Sequence, residues 1–208
     1  MKGLLLKDCY LAWAHFKSYI LLVLGFSLLS AVEPGNFFLV FYPCMLCGMI
    51  PVNLMAYDER SKWDTYTALL PFTRTQIVSS KYIFGLIAQG VILVLVAVIR
   101  IARMAVSGAV DWQNLYDLMG IMIMLAAFSV ALPLPFIFRN GVEKGRMGYY
   151  IMIGLAGVSS GIAGGVLGDN VAAFALPDLA VPIMFAVGIG VYALSWLISV
   201  KFYENREL

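Results

Sequence analysis

The sequence predicts an all-α membrane protein with six transmembrane helices. Of its 208 residues, 62% are hydrophobic and only 12% are charged, and the mean hydropathy is +0.90. Soluble domains average roughly 45–50% apolar and about 25% charged residues. One membrane-spanning helix takes about 20 apolar residues. Six spans therefore leave room only for short loops, and we expect one membrane domain without a sizeable soluble domain.

Six apolar stretches define the predicted spans: 18–32, 36–57, 81–106, 115–138, 148–168 and 179–203. The basic residues are concentrated in every second loop. Twelve of the fourteen precede span one, follow span six, or lie between spans two and three or four and five. Lys and Arg near span ends stay on the cytoplasmic side. Both chain ends are therefore expected in the cytoplasm.

The N-terminal segment, residues 1–17, has a pattern distinct from the 18–208 domain that follows it. Its apolar residues can share one helical face: Leu4, Leu5, Cys9, Leu11, Ala12 and Phe16. Its polar residues fall largely elsewhere: Lys2, Lys7, Asp8 and His15. This pattern predicts an amphipathic helix lying in the membrane interface. The alternative is a plain extension of the first span.

The only substantial cytoplasmic loop is predicted at residues 57–81. It contains two pairs that resemble capping boxes, Ser61 with Asp64 and Thr73 with Gln76. The first pair would begin a short helix over 62–70, which Pro71 would end because proline cannot continue a helix. The second pair would begin the helix that becomes span three.

The short loop helix has one apolar face. Trp63, Tyr66 and Leu70 recur at three- and four-residue spacing. Such a helix outside the membrane suits docking into a groove on a soluble partner. It equally suits packing on the membrane interface or on the chain's own helices, and the spacing alone does not choose between these.

The same loop resembles the first cytoplasmic loop of small ABC-2-type transporter permeases, and residues 1–8 are similar to the start of that family. The group includes the permease subunits of phenol-soluble-modulin exporters. The residues that carry the resemblance of the loop are Asp58-Glu59-Arg60, Trp63-Asp64, Leu70-Pro71-Phe72-Thr73-Arg74, Ile77-Val78 and Ser80-Lys81-Tyr82.

The resemblance implies the permease subunit of an ABC exporter in a bacterial plasma membrane. Residues 1–17 would be its elbow helix and 62–70 its coupling helix. A second permease subunit, identical or paralogous, would complete the path. A separate ATPase subunit would hold ATP and Mg²⁺, so this chain would be no enzyme and bind no cofactor or nucleic acid. The implied substrate is an amphipathic or hydrophobic peptide, such as a phenol-soluble modulin or an antimicrobial peptide.

Coupling to the ATPase is assigned to aromatic and charged residues of the loop. The two aromatic side chains would anchor in the partner's groove, and the charged ones would orient it. The predicted coupling residues are Glu59, Arg60, Trp63, Asp64, Tyr66 and Arg74.

The energy source also points to a partner. The chain has no P-loop motif, and none of its six apolar stretches holds the central Asp, Glu, Lys or His typical of ion-coupled carriers. The remaining energy source is ATP hydrolysis by another subunit. An ion-coupled carrier and a non-transporting scaffold or immunity protein are the rival interpretations.

Two further features bear on a path. Arg100 and Arg103 break the charge pattern near the outer end of span three, where they would line an outer mouth or snorkel to the headgroups. In span five, Gly157, Gly161 and Gly165 form a stripe for close helix packing, within one subunit, between subunits or along the path.

Prolines are predicted to kink two of the spans. They are Pro43 and Pro51 in span two, and Pro133 and Pro135 in span four. Each removes a backbone hydrogen bond.

Overall fold

The computed structural model describes residues 2–32, 37–67, 71–108, 111–145, 147–148, 150–151, 154 and 179–204. Every regular element in these ranges is a helix. The helices are α1 Lys2–His15, α2 Lys17–Val32, α3 Phe37–Arg60, α4 Trp63–Thr67, α5 Arg74–Ser107, α6 Trp112–Ala131, α7 Pro133–Asn140 and α8 Ala180–Glu204. Most of the predicted fifth span lies outside the described residues, as do Gly157, Gly161 and Gly165.

Several described helices are long and apolar enough to cross a membrane. They are α5, the stretch Trp112–Asn140 formed by α6 and α7, and α8. Together α1 and α2 also meet this requirement, but they meet at an angle of 76°. The described residues thus give three candidate spans, or four if the bent pair counts as one. The described helices overlap five of the six predicted stretches, and the total of six spans stays a prediction.

The N-terminal segment forms a helix, but its buried face differs from the predicted one. Leu4 and Phe16 are buried as expected, whereas Cys9 is exposed and Asp8 is fully buried. Asp8 follows Leu4 by four residues and therefore lies on the same face of the helix. Its carboxylate is accommodated there because a lysine of α5 meets it.

Proline affects the two kinked spans differently. The predicted fourth span is broken at Leu132, where α6 ends and α7 begins with Pro133. Proline fits the first position of a helix because its missing N–H has no helical partner there. Pro43 and Pro51, by contrast, lie within the continuous helix α3.

A buried amide joins α3, α5 and α6 at the centre of the bundle. The side-chain nitrogen of Gln89 donates to the carbonyl of Cys44 at 3.0 Å and to the Ser129 hydroxyl at 2.8 Å. A Cβ atom on Gly48 would lie 2.6 Å from Oγ of Ser129. Glycine at this position therefore permits the close approach of α3 and α6.

Hydroxyl groups join α5 to α8. The Tyr82 hydroxyl lies 2.6 Å from Oγ of Ser195 and 2.7 Å from Oγ of Ser199. Tyr192 donates to the carbonyl of Tyr82 at 2.6 Å. These bonds fix the first half of α5 against the last helix of the chain.

Candidate coupling site

Four charged side chains meet where α1, the C-terminal end of α3 and the first half of α5 converge. Nζ of Lys81 lies 2.7 Å from Oδ1 of Asp8 and 2.7 Å from Oδ2 of Asp58. Nζ of Lys7 lies 2.6 Å from Oδ1 of Asp58 and 3.6 Å from Oδ1 of Asp8. We call these four residues the ionic cluster. It joins three helices whose residues lie far apart in the sequence.

The stability of the ionic cluster depends most on its buried members. Its two lysines and two aspartates sum to zero formal charge, and Asp8 and Lys81 are almost entirely withdrawn from solvent. Taking such charges out of water costs several kcal/mol per ion, which close partners must offset. A neutral substitution at Lys81 would leave Asp8 with Lys7 at 3.6 Å as its nearest cation in the cluster. We therefore expect the arrangement of the three helices to depend most on Lys81.

The short helix α4 is attached to this cluster. Nζ of Lys7 lies 4.2 Å from the ring centroid of Trp63, a cation–π contact. The chain turns between α3 and α4 at Lys62, whose φ is +52°. The Ser61 hydroxyl donates to the carbonyl of Asp58 at 3.1 Å, near the C-terminal end of α3. Its predicted pairing with Asp64 involves a side chain outside what the structure describes.

The second predicted helix start is confirmed. The Thr73 hydroxyl accepts from the backbone of Gln76 at 3.3 Å, and the Gln76 side chain accepts from the backbone of Thr73 at 3.3 Å. This reciprocal pair is a capping box. It fixes the point at which the loop enters α5.

Two of the predicted coupling residues hold the loop to the rest of the chain. The Glu59 carboxylate accepts from the backbone N–H of Val142 at 3.1 Å. The Arg74 guanidinium donates to the carbonyls of Tyr203 at 3.3 Å and Glu204 at 2.5 Å. Arginine here satisfies carbonyls at the C-terminus of α8, where helices favour positive charge.

The remaining predicted residues differ in surroundings. Tyr66 is 61% exposed on α4. Arg60 is exposed and lines a pocket beside His15. Asp64 lies within α4, and its side chain is outside what the structure describes. The structure thus brings Glu59 and Trp63 close to the ionic cluster and leaves Tyr66 facing outward.

Sequence reasoning missed most of the cluster. Lys7, Asp8 and Lys81 were expected on polar faces or at a span end, and Val142 was not considered. One available signal was Asp8, a carboxylate four residues after Leu4 and four before Ala12 in an otherwise apolar stripe. A charge on an apolar face indicates a buried partner.

The two arginines predicted at the outer mouth lie toward the opposite end of α5. Arg100 is buried and Arg103 is half-buried. Nineteen residues separate Lys81 from Arg100, which in a helix corresponds to about 28 Å along the axis. The ionic cluster and Arg100 are therefore distinct sites.

A large groove lies between α5, α6 and α8, with a cavity volume of about 690 Å³. Its lining is mainly aliphatic and aromatic, with Gln89 and Ser79 among the few polar side chains. Trp196 donates to Oγ of Ser79 at 3.0 Å along it. The apolar lining excludes this groove as a site for strongly charged ligands.

The apolar helices and the buried charges at one end define an integral membrane protein. A family model described as ABC-2 family transporter protein matches residues 3–204. The chain belongs to the ABC-2 transporter family, as the resemblance of its loop predicted. Neither a curated protein nor a solved structure shows significant similarity to the chain.

Proposed function

We propose that this chain is the permease subunit of an ATP-driven exporter and that a separate ATPase drives it through the 57–81 loop. Family membership supports the role of membrane subunit. In this proposal the ionic cluster lies at the cytoplasmic face of a bacterial plasma membrane, with both chain ends on that side. The distribution of basic residues supports this orientation.

The observation that carries the coupling proposal is the contact between α4 and the ionic cluster. Trp63 on α4 contacts Lys7 on α1, and Lys7 is paired with Asp58 on α3. Asp58 is in turn paired with Lys81 on α5. A displacement of α4 would therefore reach α1, α3 and α5 through three contacts of 4.2, 2.6 and 2.7 Å.

The loop residues divide into three roles. Tyr66 faces away from the chain and would enter the partner's groove, where Asp64 and Arg60 would orient it. Trp63 would transmit the displacement as the junction between α4 and α1. Glu59 and Arg74 would keep the loop ends attached to Val142 and to the end of α8.

Transport would take place between two permease subunits, identical or paralogous. Arg100 and Arg103 would lie near the outer mouth, and the stripe of Gly157, Gly161 and Gly165 would serve helix packing at the path or dimer contact. Amphipathic or hydrophobic peptides are the proposed substrate class, from the resemblance of the loop. Six spans and an N-terminal elbow helix complete the proposed arrangement.

Co-purification tests the proposal. The tagged permease is purified from its own host, and the ATP hydrolysis that co-purifies is measured. We expect Tyr66→Asp to remove most of that activity, because a charge in an apolar groove lacks a partner. Trp63→Asp should do the same. Tyr116→Asp, at an exposed tyrosine on α6, is the matched control and should retain it.

The rival functions give different results. A scaffold or immunity protein would purify without ATP hydrolysis, whatever residue stands at 66. An ion-coupled carrier would move substrate into liposomes on a proton gradient without any ATPase. If Tyr66→Asp and Trp63→Asp both leave association and export intact, the coupling site lies elsewhere.

A further inference from the structure

A second pocket lies beside the coupling loop, with a volume of about 240 Å³. One wall is a single face of α3, since residues 53, 56, 57 and 60 follow the spacing of neighbouring positions on a helix. The opposite wall is the corner between α1 and α2. The lining residues are His15, Phe16, Tyr19, Asn53, Ala56, Tyr57 and Arg60.

The charge in this pocket is positive. Arg60 lines it, and its lining among the described residues contains no carboxylate. The nearest acidic residues in sequence are occupied on other sides of α3: Asp58 pairs with the lysines of the ionic cluster, and Glu59 accepts from Val142. A ligand entering the pocket would therefore meet a guanidinium that neither of these carboxylates neutralises.

The lining has polar edges and an aromatic wall. Nδ1 of His15 donates to the carbonyl of Leu11 at 3.3 Å, which in a neutral imidazole leaves Nε2 as an acceptor on the other edge of the ring. The rings of His15 and Tyr57 lie 4.6 Å apart, and Phe16 packs edge-on against Tyr57 at 5.9 Å. A ligand with one anionic group and one apolar part matches this lining.

The pocket lies at the bend between α1 and α2, which is 76°. In the proposed arrangement α2 spans the membrane, and α1, nearly perpendicular to it, would run along the membrane surface. Tyr10 and Trp13 of α1 are 71% and 66% exposed, and such aromatic side chains favour the level of the headgroups. The bend would then place the pocket at the depth of lipid phosphates.

We propose that this pocket binds the headgroup phosphate of an anionic phospholipid. The Arg60 guanidinium would pair with the phosphate. Phe16 and Tyr19 would contact the glycerol and the start of the acyl chains. A zwitterionic headgroup fits less well, because its ammonium meets no carboxylate in the lining. The inference rests on the proposed membrane arrangement. It gives Arg60 to the lipid instead of the ATPase and leaves Tyr66 and Trp63 as the coupling residues.

Native mass spectrometry of the purified permease tests this site. The protein in detergent is titrated with phosphatidylglycerol and, separately, with phosphatidylcholine. We expect tighter binding of phosphatidylglycerol and a loss of about fivefold in Arg60→Gln, the effect of one basic side chain at an anionic lipid surface. Arg60→Lys should retain most of the preference. Lys144→Gln removes an exposed charge elsewhere and should change nothing.

Further experiments distinguish a lipid phosphate from a free one and guard against a variant that fails to fold. Millimolar inorganic phosphate or glycerol 1-phosphate should leave the bound lipid in place, and displacement by either would overturn the lipid assignment in favour of a free anion. Arg60→Ala provides a second variant should Arg60→Gln fail to fold. Equal binding of both lipids, or an unchanged preference in Arg60→Gln or Arg60→Ala, would disprove the site. No ATPase is present, so such a failure leaves the coupling proposal standing.

Discussion

The last two turns of α3 carry charge on two sides that are used in opposite ways. On one side, Asp58 is enclosed in the ionic cluster, with its two carboxylate oxygens at 2.6 and 2.7 Å from lysines. On the other side, Arg60 lines an open pocket among aromatic and polar side chains. The first side joins helices of the same chain, whereas the second is available to something outside it.

This contrast separates charges that maintain the fold from charges that recognise a ligand. A buried ion pair must be complete because the desolvation of each member is costly. Removing an exposed cation changes the free energy of unfolding of the ligand-free protein only slightly. Substitutions on the two sides that change the formal charge by the same amount should therefore differ in their effect on the free energy of unfolding.

The largest expected effect is at the centre of the cluster. We expect Lys81→Met to lower the free energy of unfolding by about 3–5 kcal/mol, because Asp8 and Asp58 then remain buried without their shared partner. Unfolding in detergent micelles, followed by circular dichroism, measures it. Lys144→Met is the control at an exposed lysine. A loss no larger than that of the control would show that the cluster is not a unit.

A smaller effect is expected at the rim of the cluster. Lys7→Met should lower the free energy of unfolding by about 1–2 kcal/mol, since Lys81 still pairs with Asp58. The fluorescence of Trp63, measured after Trp13, Trp112 and Trp196 are replaced by Phe, provides a second measurement, because Lys7→Met removes the cation above its ring. Lys2→Met, also on α1, should alter neither quantity. An unchanged Trp63 signal would contradict the contact between α1 and α4.

A still smaller loss is expected where α3 contacts the turn after α7. Glu59→Ala removes the acceptor of the Val142 N–H and should lower the free energy of unfolding by about 1 kcal/mol. Glu59→Gln retains an acceptor oxygen and should recover most of it. Glu143→Ala, at an exposed carboxylate, serves as the comparison. Equal stabilities of the alanine and glutamine variants would rule out a role for this bond.

The smallest effect is expected on the open side. Arg60→Gln should change the free energy of unfolding by less than about 0.5 kcal/mol, as exposed substitutions usually do. The same micelle titration measures it beside Lys81→Met. A loss comparable with that of Lys81→Met would mean that Arg60 belongs to the fold, and the contrast between the two sides would disappear.

Local signals in the sequence predicted local structure well. Apolar run length located the described helices, and the capping box of Thr73 and Gln76 formed because both partners lie within one turn. The other motif stays a prediction. The Ser61 hydroxyl donates to the carbonyl of Asp58 at the end of α3, and the side chain of Asp64 is outside what the structure describes.

The ionic cluster could not be predicted from local sequence patterns. Lys7 meets Asp58 across 51 residues, and Lys81 meets Asp8 across 73. No periodicity encodes which of several charges at span ends will be brought together, because tertiary packing decides it. Asp8 alone gave a hint, as a carboxylate on an apolar stripe. The break at Leu132 was half predicted: the prolines indicated a kink, and the structure shows two separate helices.

The bond from Arg74 to the end of α8 spans 129 and 130 residues of sequence. The ribosome makes Arg74 well before Glu204. The start of α5 is therefore unsecured at this point until α8 has been translated and inserted. Closure of the bundle at this corner follows the insertion of α8.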